Sequence, residues 1–287
     1  MLWPKKEKAM KLNKYANNIT SQHGEDGILK YILENLPHEI NKICMEFGAW
    51  DGKHLSNTYS LWHDQGWRGI LIEADSAKCQ RLKESYSDYD TLAFNQFVEP
   101  EGDGSIDALF RKHGIDPNVG IVSIDINSTD FYVWKNMEYV NPAIVVVEHN
   151  QTIPAYIEYV DPEGEVFLRC SAKALETLGR AKGYKLICCT VTNSIFIRDD
   201  LFDASKFPDM PVEYLFDYSH CTPPQLQIAL GVHESQYIPI FYGEPTLFQK
   251  YAYPFCYRLF SLIKGSGYKK PSATVLNACK KSGIFVE

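Results

Sequence analysis

The chain has 287 residues, 45% of them hydrophobic and 23% charged, with a formal net charge of -7. That length fits one large domain, or one domain with an appendage, of ordinary globular composition. The acidic balance excludes the broad basic field of a general nucleic-acid binder, and no apolar run reaches membrane-spanning length.

In chain order, "GILKYILENL" (27–36) places Ile28, Ile32 and Leu36 on one helical face with Leu29 and Leu33 beside them, and Ser21 stands where a cap is expected. "KICMEF" (42–47) reads as a short buried strand, and "HLSNTYSLW" as a helix with Leu55, Tyr59 and Trp62 on one face. "GILIEA" (69–74) is a second strand, "SAKCQRLKESY" a second helix of this alternation, and "TLAFNQFV" (91–98) a third strand. "GIVSIDI" (120–126) is a fourth strand, followed by "FYVWKNMEYV" as a helix. "AIVVVE" (143–148) is a fifth, and its continuous β-branched run suits a central strand covered on both faces. "SAKALETLGRAKGY" (171–184) is helical; "KLICCTV" and "SIFIR" follow as two strands joined at Thr192–Asn193, able to pair as an antiparallel hairpin.

Strands alternating with helices define an α/β fold with a doubly wound, mostly parallel, Rossmann-like sheet. The boundaries expected are an N-terminal helical segment (1–41), a cofactor-binding core (42–202) and a C-terminal extension (203–287) serving as substrate lid or oligomer contact. Eight cysteines form no CxxC pair, which suits reduced thiols. With "MLWPKKEKAMKL" lacking the apolar core of a secretory signal, the expected setting is cytoplasmic.

In doubly wound sheets, ligands sit beyond the carboxyl ends of the strands. The first such turn is Gly48-Ala49-Trp50-Asp51-Gly52. A dinucleotide fold shows GxGxxG there, so that backbone approaches a pyrophosphate. Trp50 stands in place of the second glycine and argues against that ligand. Glu46 ends the first strand, where an acid faces an ammonium or sulfonium ligand. Glu73 ends the second strand, 25 residues after Gly48, where a carboxylate accepts both ribose hydroxyls. Ribose plus amino acid without phosphate describes S-adenosylmethionine. The plain alternative is a tight turn with a solvated acid.

"ExGxxDG" at 46–52 and "IEAD" at 72–75 resemble the first two motifs of class I S-adenosylmethionine-dependent methyltransferases. "SQHGEDGILKYI" (21–32), "SIDINSTDFYVWKNM" (123–137), "PAIVVVEHN" (142–150) and the text of 171–202 resemble the FkbM-like branch, so an ordered set of motifs covers about 20–202. The resemblance implies methylation of hydroxyls, with a sugar or glycan precursor as acceptor. It implies cofactor contacts from Gln22, Glu25, Glu46, Gly48, Gly52, Glu73, Ala74, Asn95 and Asp125, with Asn95 toward the adenine. One departure stands out: the branch's DIDGND is Asp125-Ile126-Asn127-Ser128-Thr129-Asp130 here, so Asn127 replaces an acid and Ser128 a glycine. A catalytic or metal-binding role for the missing acid would leave this chain a non-catalytic relative.

Methyl transfer to oxygen needs a positioned nucleophile and a base for its proton. Asp125, Glu148 and His149 are the catalytic candidates, and His149 has the titration range of a general base; its alternative is an ordinary polar residue at a strand end. Asp125, Glu148 and Asn150 offer an all-oxygen site of the kind Mg²⁺ takes; the alternative is that the two acids contact cofactor or hold loops. Trp50, Trp62 and Trp67 read as packing residues. Residues 251–287 carry six Lys/Arg and one acid, a tail suited to anionic lipid or to a solvated helix face. Expected partners are a small-molecule or glycan-precursor acceptor, no nucleic acid, a peripheral membrane contact through that tail, and a second copy of the chain. The rival reading from another class is a nucleotide-dependent oxidoreductase, which Trp50 disfavours.

Overall fold

The computed structural model describes residues 11–126, 129–221, 240–242 and 272–286. Asn127, Ser128, the lysine-rich first ten residues and most of the basic tail lie outside the described residues.

The strands are β1 (Ile43–Phe47), β2 (Arg68–Glu73), β3 (Thr91–Asn95), β4 (Ile121–Ile124), β5 (Ile144–Glu148), β6 (Tyr184–Cys189) and β7 (Asn193–Arg198). They form one sheet in the order β3-β2-β1-β4-β5-β7-β6. The first five pair in parallel, whereas β7 runs antiparallel between β5 and β6. The expected hairpin therefore forms, but it enters the sheet through its second strand.

Side-chain alternation divides the sheet's faces. Met45, Ile70, Val122 and Val145 point into one core, shared with Leu109 and Phe110 of α4 (Ile106–His113), Trp134 of α5 (Asp130–Asn136) and Leu175 of α6 (Ala172–Ala181). Cys44, Leu71, Ile121 and Ile144 point into the other, with Ile28 of α1 (Glu25–Glu34), Trp62 of α2 (Tyr59–Asp64) and Leu82 of α3 (Ser76–Ser85). Every residue of β1, β4 and β5 is buried, which is why these three stretches read as continuous apolar runs.

Three elements differ from the sequence reading. Helix α1 starts at Glu25 behind Gly24 at φ 91°, so Ser21 is not its N-cap; its hydroxyl still accepts the Asp26 N–H at 3.1 Å. Leu55 lies outside α2, at φ 57° and 46% exposed, because Glu46 draws residues 56–58 inward and delays the helix to Tyr59. Helix α4 falls in a stretch with no expected element, although Ser105 caps it and Gly114 at φ 62° ends it, both standard punctuation.

Beyond the sheet lie α7 (Val212–Leu215), α8 (Ala273–Lys281) and the pair β8 (Ile240–Tyr242) and β9 (Ile284–Val286). Val275 and Cys279 of α8 form a third core with Ile153, Ile157, Tyr159 and Leu168, so the C-terminal segment packs on the loop after β5. Among the described residues no helix is long and apolar enough to cross a membrane.

Candidate active site

The carboxyl ends of β1, β2, β4 and β5 converge on one region. At its centre is the turn after β1. Gly48 sits at φ 66°, and a Cβ there would lie 2.7 Å from the Asp125 backbone oxygen. Gly52 sits at φ 80°, and its Cβ would lie 2.8 Å from the Tyr86 ring. Both positions require glycine, for conformation and for space. Trp50 between them also has a positive φ, 43°, a strained setting for a bulky residue that costs on the order of 1–3 kcal/mol.

The two turn acids are buried and differently committed. Glu46 accepts the Asn57 N–H at 2.9 Å and the Thr58 hydroxyl at 2.7 Å, together with the Ser56 hydroxyl. Burial raises its pKa while these donors oppose the rise. A carboxylate offers about four acceptor positions, so Glu46 has one left, on Oε1. Glu73 accepts the Trp50 N–H at 2.9 Å on Oε2 and the Asp75 N–H at 2.8 Å on Oε1. That leaves one position on each oxygen, the pattern two vicinal hydroxyls need. Asn95 donates to the Glu73 and Ala74 carbonyls at 2.9 and 2.8 Å, which fixes its amide with Oδ1 still able to accept.

The N-terminal segment meets the same region. Asp26 accepts the N–H groups of Ile19, Thr20 and Ser21 and so folds the segment onto the core. Glu25, fully buried, accepts from Thr190 at 2.6 Å and from Asn193 at 2.9 Å. Gln22 is exposed at the rim. Glu25 thereby ties α1 to the β6–β7 turn, close enough for its charge to act on Asp125.

Beyond β4 and β5 lies an acid cluster. Ligand oxygens of Asp125, Asp130 and Glu148 lie within 4.8 Å of one another. Asp125 and Glu148 are hydrogen-bonded to each other. Two buried carboxyls in contact cannot both ionise readily, so the pair holds a proton. Burial and then Asp125 push Glu148 up to about 8, and burial raises Asp125 as well. Arg169 pairs through Nη1 with Glu148 Oε2 and carries the balancing charge. Its position is built: Asp161, 2% exposed, accepts the N–H groups of Phe167, Leu168 and Arg169 plus the Tyr159 hydroxyl. That wrapping holds Arg169 at φ 63°. The sequence reading missed Arg169, because its partners are eight and 21 positions away in a segment without periodicity.

Two expected roles change. His149 is 1% exposed, its Nδ1 lies 3.0 Å from the Ser194 hydroxyl, and burial lowers its pKa to about 3. A side chain that stays neutral so far into acid is a poor general base at pH 7. Asn150 accepts both the N–H and the hydroxyl of Thr152, at 2.9 and 2.7 Å, and donates to the Leu168 carbonyl. Its oxygen is thus not free to ligate a metal. Asp125 and Glu148 stand instead with Asp130 in a three-carboxylate group able to hold a cation, where Arg169 already supplies positive charge to Glu148 and Asp130 accepts the Ile126 N–H at 2.8 Å.

The histidine gives a pH prediction. A folded pKa near 3 against about 6.5 unfolded means that only the unfolded chain takes up this proton between those values. His149 therefore favours the fold fully above pH ~6.5, and that contribution drains away toward pH ~3. His149→Gln is expected to remove roughly 3–5 kcal/mol of acid-side loss across that window. Urea melts of both proteins from pH 7 to 4 measure it; parallel curves would refute the assignment.

Strand order, register and helices on both faces define the fold: a doubly wound, mostly parallel Rossmann-like α/β sheet with an antiparallel C-terminal hairpin. No protein-family model matches the chain, and no curated protein matches it. Among solved structures it is similar to the citrinin polyketide synthase CMeT domain, with TM-score 0.41 and 11% identity over 61% of this chain and 51% of that one. It is similar to a SAM-dependent methyltransferase from Aquifex aeolicus, with TM-score 0.36 and 9% identity over 61% and 88%. It is also similar to the N-terminal domain of EvdMO1, solved in the presence of SAH and D-fucose, with TM-score 0.36 and 10% identity over 59% and 78%. The chain spans about half the length of the citrinin domain it matches. These likenesses are remote, and the fold class stands on the topology.

Proposed function

We propose that the chain is an S-adenosylmethionine-dependent methyltransferase acting on a hydroxyl of a sugar or glycan precursor in the cytoplasm. The observation that carries this reading is the pairing of Gly48 with Glu73. Gly48 lets the turn pack against the Asp125 backbone at the end of β4, and the carboxylate beside the turn has one acceptor position free on each oxygen. Glu73 takes the two ribose hydroxyls, the Asn95 oxygen and Ala74 flank the adenine, and the remaining position on Glu46 faces the ammonium. Gln22 and Glu25 close the amino-acid end. When bound, the cofactor supplies an electrophilic methyl group on a sulfonium.

The chain's own groups handle the proton. The singly charged Asp125–Glu148 pair accepts it from the acceptor hydroxyl as oxygen becomes nucleophilic. Arg169 holds the negative charge of the pair in place, so that the proton moves to a prepared acceptor. The oligomer contact and the tail's membrane contact belong to the same proposal.

Isothermal calorimetry with S-adenosylmethionine and S-adenosylhomocysteine tests the reading. Wild type is expected to bind both. Glu73→Ala, which deletes two charge-assisted hydrogen bonds worth about 1.5–3 kcal/mol each, is expected to weaken binding by at least about 100-fold. Wild type that binds neither, or a variant that binds as wild type does, sinks it.

A further inference from the structure

Trp50 is not the packing residue its sequence context suggests. Trp62 and Trp67 are buried, whereas Trp50 is 46% exposed. It therefore occupies a left-handed conformation without the burial that usually compensates a large aromatic side chain. Its backbone is pinned by the N–H donated to Glu73. Its ring is placed by His54, whose ring meets it edge-on at 4.8 Å and 82°.

The exposed indole forms one wall of a recess of about 240 Å³, facing α3. Lys78 and Arg81, one helical turn apart, line the opposite wall with Leu82 and Ser85. The Lys78 ammonium lies 5.2 Å above the indole centroid. Neither cation has an ion-pair partner among the described residues. Asp51, the acid in the recess, is turned to the backbone, with Oδ1 accepting the N–H groups of Lys53 and His54. The N-terminus of α3 is not part of the site, because Asp75 already accepts from Ala77 and Lys78.

An exposed, rigidly held indole beside two unpaired cations fits one kind of ligand: a flat-faced ring joined to a phosphate. The volume lies just under the ~300–1,000 Å³ of whole-ligand pockets, so it accommodates a ring and its nearest phosphate. We infer that this recess binds a phosphate ester of a ring compound, a nucleotide or a sugar phosphate, with the ring on Trp50 and the phosphate between Lys78 and Arg81. Lys78 passes from the indole face to the phosphate as the ligand enters. The site is separate from the acid cluster. It adjoins the proposed cofactor position through the Trp50–Glu73 hydrogen bond and through Leu82, whose side chain faces Gly52.

The test uses the full chain with three probes, UDP, glucose 1-phosphate and pyrophosphate, by calorimetry and tryptophan quenching. At least one ring phosphate is expected to bind roughly tenfold or more tighter than pyrophosphate. Whichever of the two binds better identifies the source. Trp50→Leu and Arg81→Gln are each expected to weaken that binding about tenfold or more. Arg81 is exposed, so its variant remains informative if the turn variant misfolds. Titrating S-adenosylmethionine into the same samples keeps failure of the cofactor reading distinct from failure of this one. No binding of either ester, pyrophosphate binding as tightly as the esters, or unchanged affinity in folded variants overturns the inference.

Discussion

Gly48→Ala is expected to abolish cofactor binding and to cost about 2–4 kcal/mol of stability. The new methyl would lie 2.7 Å from the Asp125 backbone oxygen, at φ 66°. The dihedral alone costs on the order of 1 kcal/mol, and the overlap adds a term of the overpacking kind, about 1–3 kcal/mol. Neither partner is a flexible side-chain end, so relief requires β1 and β4 to part at the point where their ends define the site. Gly66 supplies the control: it sits at φ 69° with nothing within 4 Å of an added Cβ. Gly66→Ala therefore pays for conformation alone and is expected to bind cofactor as wild type does. Thermal melts and calorimetry on both variants decide the matter; equal losses with binding intact in each would show that Gly48 is merely a turn glycine.

Arg169→Met is the second large effect. The substitution leaves Asp125, Asp130 and Glu148 without the cation that balances them, and stranding one half of a buried ion pair costs about 3–5 kcal/mol. The loss depends on pH in a definite sense. Glu148 has a folded pKa pushed up to about 8, against ~4.3 unfolded. The folded chain keeps a proton there that the unfolded chain releases, so stability falls as pH rises from ~4.3 to ~8. Without Arg169 the folded carboxyl holds its proton more strongly still, so the two proteins lose stability in parallel up to pH ~8 and the variant's deficit grows only above it. Urea denaturation is expected to show similar deficits near pH ~5 and pH ~7 and a larger one near pH ~9.5, with Arg169→Lys restoring part of it. A deficit that stays constant above pH ~8 would mean that Arg169 acts through packing alone.

The fold was legible where burial writes a continuous signal. Val145, Val146 and Val147 are fully buried on both faces, and nothing but an inner strand tolerates such a run. Ser105 and Gly114 punctuate α4 as clearly, a cap signal stronger than the short amphipathic pattern between them. The extension after residue 202 was illegible because Phe207, Val212 and Leu215 reach the sheet cores from short, aperiodic stretches and α8 packs on a loop. At the site, residue type and strand position pointed to Asp125 and Glu148, which do meet. They could not reveal that His149 turns inward to Ser194, since one step along a strand reverses the face. Arg169 was out of reach for another reason. Its role depends on a carboxylate collecting three successive N–H groups, a tertiary arrangement with no sequence shorthand.

The packing of α8 couples the far end of the described chain to the acid cluster. The contacts that close the sheet end with β7. The arginine's support runs on: Cys279 donates to the Tyr159 oxygen at 3.4 Å, Tyr159 donates to Asp161 at 2.7 Å, and Asp161 gathers the backbone that presents Arg169. A segment 110 positions downstream of Arg169 thus underwrites the charge balance of the acid pair.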